Sequence, residues 1–167
     1  MGTQDEQIVI VDEGNREVGI AGRRVMRRFN LPHRATYILV FNSKGEIFVQ
    51  KRTTTKDIYP GYFCVATGGV VAAGETYEES AVRELAEELG IVGAPLKLLF
   101  DFYHEDHGNK VWGRAFSCVW DNEIRLQEEE VAGGSFMSVE EAMTLAEREP
   151  FTPDGLYALH RYLTEKA

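Results

Sequence analysis

The period of apolar positions changes several times along the chain, and each change marks an element. Apolar residues run through 8–11 and 17–20 on either side of Glu13-Gly14-Asn15, which predicts a short hairpin. Arg23 to Phe29 reads as a short helix closed by Asn30 and Pro32. Thr36 to Asn42 and Glu46 to Lys51 read as strands joined by the turn residues Ser43-Lys44-Gly45. A polar loop, Thr53 to Asp57, precedes a strand from Tyr62 to Ala66.

After Gly68-Gly69 the period becomes helical. Thr76 with Glu79 three residues later is a capping-box signature. Ala81, Leu85 and Leu89 recur at helical spacing as a buried stripe, and Gly90 supplies the stop. Leu96 to His104 and Val111 to Trp120 then predict a long hairpin around Asp106-His107-Gly108-Asn109. Gln127 to Gly134 reads as an acidic loop and Ser135 to Ser138 as a short strand. Ser138, with Glu141 at the capping-box position, starts a helix through Glu147, and Thr152-Pro153 starts the last one. Strands mixed with helices in this order predict an α/β sandwich, one domain over residues 1–167.

The helix after Gly69 carries the chemistry. Glu84, Glu87 and Glu88 are spaced i, i+3, i+4, which puts three carboxylates on one face within reach of a common point. Like charges that close repel unless a cation sits among them. Oxygen ligands of this kind suit Mg2+, Mn2+ or Ca2+ rather than Zn2+. Arg83, beside Glu84 and four residues before Glu87, can orient a carboxylate by a bidentate contact. A solvated helix face is the plain alternative. The glycine turn and the fixed spacings on both sides count against it.

Composition narrows the class. Apolar content of 44% and charged content of 27% are those of a globular protein. A net charge of −9 argues against non-specific nucleic-acid or membrane binding. No apolar run reaches membrane-spanning length, and the N-terminal stretch MGTQDEQIVIVDEGN is too polar for a secretory signal. A cytoplasmic protein is expected. Cys64 and Cys118 sit in apolar runs and read as buried free thiols.

Gly69, five residues, Glu75, seven residues, then Arg83-Glu84-Leu85-Ala86-Glu87-Glu88-Leu89-Gly90-Ile91 matches the Nudix box at every defining position. The chain therefore resembles the Nudix hydrolases. That resemblance implies an α/β/α sandwich with a mixed central sheet and hydrolysis of a nucleoside diphosphate linked to a second group, or of a related small diphosphate. It implies Mg2+ or Mn2+ held by Glu84, Glu87 and Glu88, with Gly69, Glu75, Arg83 and Gly90 shaping the motif. A carboxylate, Glu88 or a Glu outside the box, would activate water, with Glu87 beside it. Among Glu128, Glu129 and Glu130, Glu130 is favoured because it directly precedes Val131. The resemblance also allows a homodimer, although no residue demands one.

A second resemblance covers the first half of the chain. Leu31-Pro32-His33-Arg34-Ala35, Val40-Phe41-Asn42, Gln50-Lys51-Arg52, Lys56 and Tyr59-Pro60-Gly61 resemble isopentenyl diphosphate isomerase. On that alignment the catalytic cysteine position falls on Gly68 and the following histidine on Val70. The later metal-binding glutamates fall near Trp112 and Arg114, and an earlier histidine near Met26. Only His33 keeps its counterpart. A double-bond shift needs an acid and a base, which glycine and valine cannot supply. Cys64, four residues early, does not replace them. Arg52 and Lys56 match positions that grip the diphosphate, and an Arg and a Lys in a loop facing the box are sensible anion ligands. His33, without co-ligands, is expected to support structure or touch substrate.

Three functions compete: a diphosphate hydrolase, an isomerase, and a module that binds a nucleotide or metabolite without turnover. The aromatic residues Tyr37, Tyr62, Phe63, Tyr103 and Trp112 can stack on a base or hold a prenyl chain, though core packing is the default at strand positions. No further motif names the substrate.

Overall fold

The computed structural model describes residues 6–166, so the first five residues of the polar N-terminal stretch lie outside it. Strands β1 (Gln7–Val11) and β2 (Glu17–Gly22) form the expected antiparallel hairpin. Helix α1 (Arg23–Arg28) follows, then β3 (His33–Phe41) and β4 (Ile47–Arg52). β5 is only Phe63–Cys64, shorter than the expected Tyr62 to Ala66. The chain leaves β4 there and crosses to β3, where Thr67 bridges Ile38 and Val70 bridges Ala35. That crossing delivers Gly68 and Gly69 to the middle of β3.

Helix α2 (Tyr77–Leu89) carries the carboxylates. β6 (Lys97–Asp106) and β7 (Asn109–Val119) make the long hairpin around His107-Gly108. β8 runs Val131–Met137, so it takes in the second half of the predicted loop, Val131 to Gly134, and joins it to the strand expected from Ser135. Gly133 and Gly134 have no side chains to alternate, so only pairing with Lys51 and Gln50 of β4 reveals them as strand. Helices α3 (Val139–Ala146) and α4 (Pro153–Lys166) complete the described chain.

The sheet is mixed. β3 pairs in parallel with β7 over its whole length, while the other ladders are antiparallel. Alternation along β3 sorts side chains to two faces. Ala35, Tyr37 and Leu39 join Ala142 of α3 and Leu159 of α4 in one core. Ile38 and Val40 join Tyr77, Ala81, Leu85 and Leu89 of α2 in another. Helices on both faces make this an α/β/α sandwich. Leu85 and Leu89 are 2% and 0% exposed, so each contributes roughly 2 kcal/mol by burial. Burying that stripe fixes the rotation of α2 and hence the direction of its glutamates. Among the described residues no helix is long and apolar enough to cross a membrane.

Candidate active site

Local chemistry sets the ends of α2. Thr76 Oγ1 accepts from the Glu79 amide at 3.0 Å, and Glu79 Oε1 accepts from the Thr76 amide at 2.9 Å. Gly90, at φ 68°, closes the helix. Arg83 then grips Glu75 with two donors, Nε at 2.6 Å and Nη2 at 3.0 Å, and reaches Glu87 Oε1 with Nη1 at 3.2 Å. The expected bidentate contact is present, and its carboxylate is Glu75.

The segment after α2 builds the facing wall. The Arg125 amide donates to the Leu89 carbonyl at 2.9 Å and the Gln127 amide to the Glu88 carbonyl at 3.0 Å. This tie turns Glu130 toward the helix, while Glu128 and Glu129 stay exposed. Lys56 Nζ donates to Glu130 Oε1 at 2.5 Å. Glu84, Glu87, Glu88, Glu130 and Lys56 thus surround one cavity of about 30 Å³, with Gly68 and Gly69 on its rim. Glycine is required at Gly69, since a Cβ there would lie 2.1 Å from Glu84 Oε2.

The carboxylates of the cavity repel one another, and the neighbouring cations offset this only in part. Burial and the neighbouring Glu88 push the Glu84 carboxyl up to about 8, against the pull of Arg83. Burial also pushes Glu88 upward, while Lys56 and Arg52 draw it down. An all-oxygen donor set under mutual repulsion fits a hard divalent cation. Among the described residues no three acidic, histidine or cysteine side chains close on one point. The reason is local: Arg83 holds Glu87, and Lys56 holds Glu130.

A second cavity, about 70 Å³, adjoins the first across Lys56, Gly68 and Gly69. Arg23, Arg27, His33, Arg52, Tyr59 and Asn109 are among its walls. Lys56 therefore reaches both cavities, whereas Arg52 lines the second, its guanidinium held by the Ile58 carbonyl at 3.0 Å and 3.3 Å. His33 is 1% exposed, and its Nδ1–H donates to the Leu31 carbonyl at 3.0 Å. Burial, then the charges of Arg27 and Arg23, hold the ring neutral with its pKa down at about 3.

The positions given to the isomerase machinery are closed to it. A Cβ at Gly68 would lie 2.1 Å from the Thr36 carbonyl oxygen. Arg114 is engaged with Asp101 and Glu78, Trp112 packs on Tyr103 with ring centroids 5.5 Å apart, and Met26 is buried with Ile8 and Val70. Of the five aromatic residues Tyr37 borders the second cavity, with its hydroxyl on Asp154 at 2.7 Å. The sequence reading missed Arg23 and Arg27, whose i, i+4 spacing on α1 was the available signal. It also missed Gln127 of the first cavity and Gln50, whose side chain donates to Thr67 Oγ1 at 3.0 Å and hydrogen-bonds Glu88.

The NUDIX domain family matches residues 31–160. An uncharacterized Nudix hydrolase of Pseudomonas aeruginosa is 46% identical over 158 residues, 95% of this chain and 94% of that protein. The uncharacterized Nudix hydrolase YfcD of Escherichia coli K12 is 45% identical over 162 residues, 97% of this chain and 89% of that one. Among solved structures, DR0079 of Deinococcus radiodurans aligns with a TM-score of 0.81 at 24% identity, over 93% of this chain and 98% of that one. The NUDIX domain of Shewanella oneidensis NrtR, complexed with ADP ribose, aligns with a TM-score of 0.63 at 13% identity, over 80% and 86%. These two structures share the fold. A complete box on a capped helix, facing its acidic cavity, agrees with relatives that span nearly the whole chain, and the protein belongs to the Nudix hydrolase family.

Proposed function

We propose that the protein hydrolyses a diphosphate linkage in a nucleoside diphosphate derivative or related small metabolite, using Mg2+ or Mn2+. The observation that carries this reading is the cavity itself: Glu84, Glu87, Glu88 and Glu130 meet Lys56 around one space. Glu84, Glu87 and Glu88 would hold the cation, with Glu130 across from them. When bound, it supplies charge neutralisation for the diphosphate as the P–O bond breaks.

The chain's own residues do the rest. Lys56, at the passage between the cavities, and Arg52, in the second, hold the phosphate that is not attacked. This role for the two cations is what the isomerase-like resemblance contributes, since Gly68 and Val70 leave no acid or base for a double-bond shift. Water attacks phosphorus, and its proton passes to Glu88 or Glu130, both of which line the cavity. The bridging oxygen leaves with the departing phosphate.

The test is phosphate release from a panel of nucleoside diphosphate derivatives, ADP ribose, dinucleotides and prenyl diphosphates with Mg2+ or Mn2+. Turnover should vanish in Glu87→Gln while the fold is kept. Full activity in both Glu87→Gln and Glu88→Gln would sink the mechanism. Tight binding without turnover on any compound would favour a binding module.

A further inference from the structure

Lys56 and Glu130 are 74 residues apart in the chain, yet their loops are tied together. The Thr53 amide donates to the Glu130 carbonyl at 3.4 Å, and Thr53 Oγ1 donates to the Glu129 carbonyl at 3.3 Å. The Lys56 amide returns to the Thr53 carbonyl at 3.4 Å, and Arg23 holds the next residue, Asp57, at 2.7 Å. On the other side the Glu130 amide donates to the Gln127 carbonyl at 3.0 Å. With both backbones anchored, the two side chains can change partners without either loop moving. The side chains are only 11% and 29% exposed, so water compensates neither charge in full. Lys56 borders both cavities, whereas Glu130 borders the first.

Each charge has a stronger competitor in the proposed reaction. A divalent cation attracts the Glu130 carboxylate more than a single ammonium does, and a phosphate attracts Lys56 more than a single carboxylate does. Either exchange alone strands the other partner. A cation that took Glu130 would leave the Lys56 ammonium unpaired and mostly buried beside it. An anion that took Lys56 would leave Glu130 unpaired against Glu88, which it already repels. Breaking a partly buried ion pair from one side is the costly outcome, because one charge remains uncompensated. When both exchanges happen together, no charge is stranded.

We propose that the Lys56–Glu130 pair is a latch that couples metal binding to diphosphate binding, withholding Glu130 from the cation until a substrate phosphate takes Lys56. The inference rests on the proposed hydrolase for its metal and its substrate, and it adds an order of events to that site. Without substrate the glutamates of α2 meet the cation and Glu130 stays on Lys56. With a phosphate on Lys56 and Arg52, Glu130 is free to face the cation or the attacking water. Water is then activated only when a diphosphate is in place.

The test reads Mn2+ affinity and needs no turnover. Mn2+ is titrated calorimetrically into wild type, Lys56→Met, Glu130→Gln and the double variant. Lys56→Met should tighten Mn2+ binding about tenfold when Glu130 is present, and by no more than about threefold in the Glu130→Gln background. Equal tightening in both backgrounds would make Lys56 only a repelling charge and overturn the latch. The wild type gives a second reading with no substitution. Sulfate, a tetrahedral anion, should tighten Mn2+ about tenfold relative to chloride at equal ionic strength and equal free Mn2+. Lys56→Met should lose that effect. Sulfate without effect on the wild type, or with the same effect on Lys56→Met, would also overturn the latch. Equal tightening accompanied by phosphate release from the substrate panel would leave the hydrolase standing without it. The coupled pattern without any release would refute the proposed function alone. No Mn2+ binding by any of the proteins would overturn both.

Discussion

Arg83 holds Glu75 through a two-donor fork across eight residues, and the same guanidinium reaches Glu87 at 3.2 Å. One side chain therefore ties the loop before α2 to a carboxylate of the cavity. Arg83→Lys keeps the charge but cannot keep both contacts. We predict a loss of about 1 kcal/mol in urea unfolding. Hydrolysis should fall more than tenfold, because Glu87 is no longer held in place. Arg83→Lys with wild-type activity would show that the fork is only structural.

Adjacent glycines separate fold from function. At Gly69 an added Cβ meets Glu84 Oε2, the end of a flexible side chain, at 2.1 Å. Gly69→Ala should fold with a loss of no more than about 1 kcal/mol but displace Glu84 and lose most activity. At Gly68 the obstacle is the Thr36 carbonyl oxygen of the central strand β3, also at 2.1 Å, and φ is 153°. Gly68→Ala or Gly68→Cys should destabilise by about 3 kcal/mol or more. The cysteine variant should gain no double-bond isomerisation. Urea denaturation beside an activity assay reads both, and equal stability losses at the two positions would contradict this assignment.

What the sequence made legible follows from how local each signal is. The box helix was readable because Thr76, Glu79 and Gly90 act on their own neighbours and Leu85 and Leu89 repeat at helical spacing. Glu128, Glu129 and Glu130 look alike in sequence. The amide of Gln127 on the Glu88 carbonyl, a tertiary contact, is what turns Glu130 inward. Arg23 and Arg27 of α1 drew no role from the sequence because their pairing partner, Asp57, lies in a distant loop. Gly133 and Gly134 hid a strand for the same reason: its partner is β4, far back in the chain.

A cation that binds the folded cavity and not the unfolded chain stabilises the protein by mass action. At about a hundredfold excess over Kd the gain is about 2.7 kcal/mol. For a chain of this length that is roughly 5–10 °C in melting temperature. Wild type should show this shift with MgCl2, and Glu84→Gln and Glu88→Gln should lose most of it. Glu128→Gln, on the exposed side of its loop, should keep it. A full shift in Glu84→Gln and Glu88→Gln would remove both from the metal site.

His33 supplies a pH dependence whose sign is fixed by its burial. Its folded-state pKa lies near 3, below the ordinary 6.5, because burial disfavours the charged ring and Arg27 and Arg23 repel it, with Asp57 opposing. Between those values the unfolded chain binds a proton that the folded protein refuses. Stability from this group is fully present above pH 6.5 and is lost as pH falls toward 3, at up to about 1.4 kcal/mol per pH unit. From pH 7 to pH 5 the wild type should lose about 2 kcal/mol more unfolding free energy than His33→Gln, which keeps a donor for the Leu31 carbonyl and cannot titrate. Urea denaturation of both proteins at the two pH values measures the difference. Parallel losses would mean that the ring is protonated in the folded protein near neutrality, with the Leu31 contact kept and the neighbouring arginines displaced.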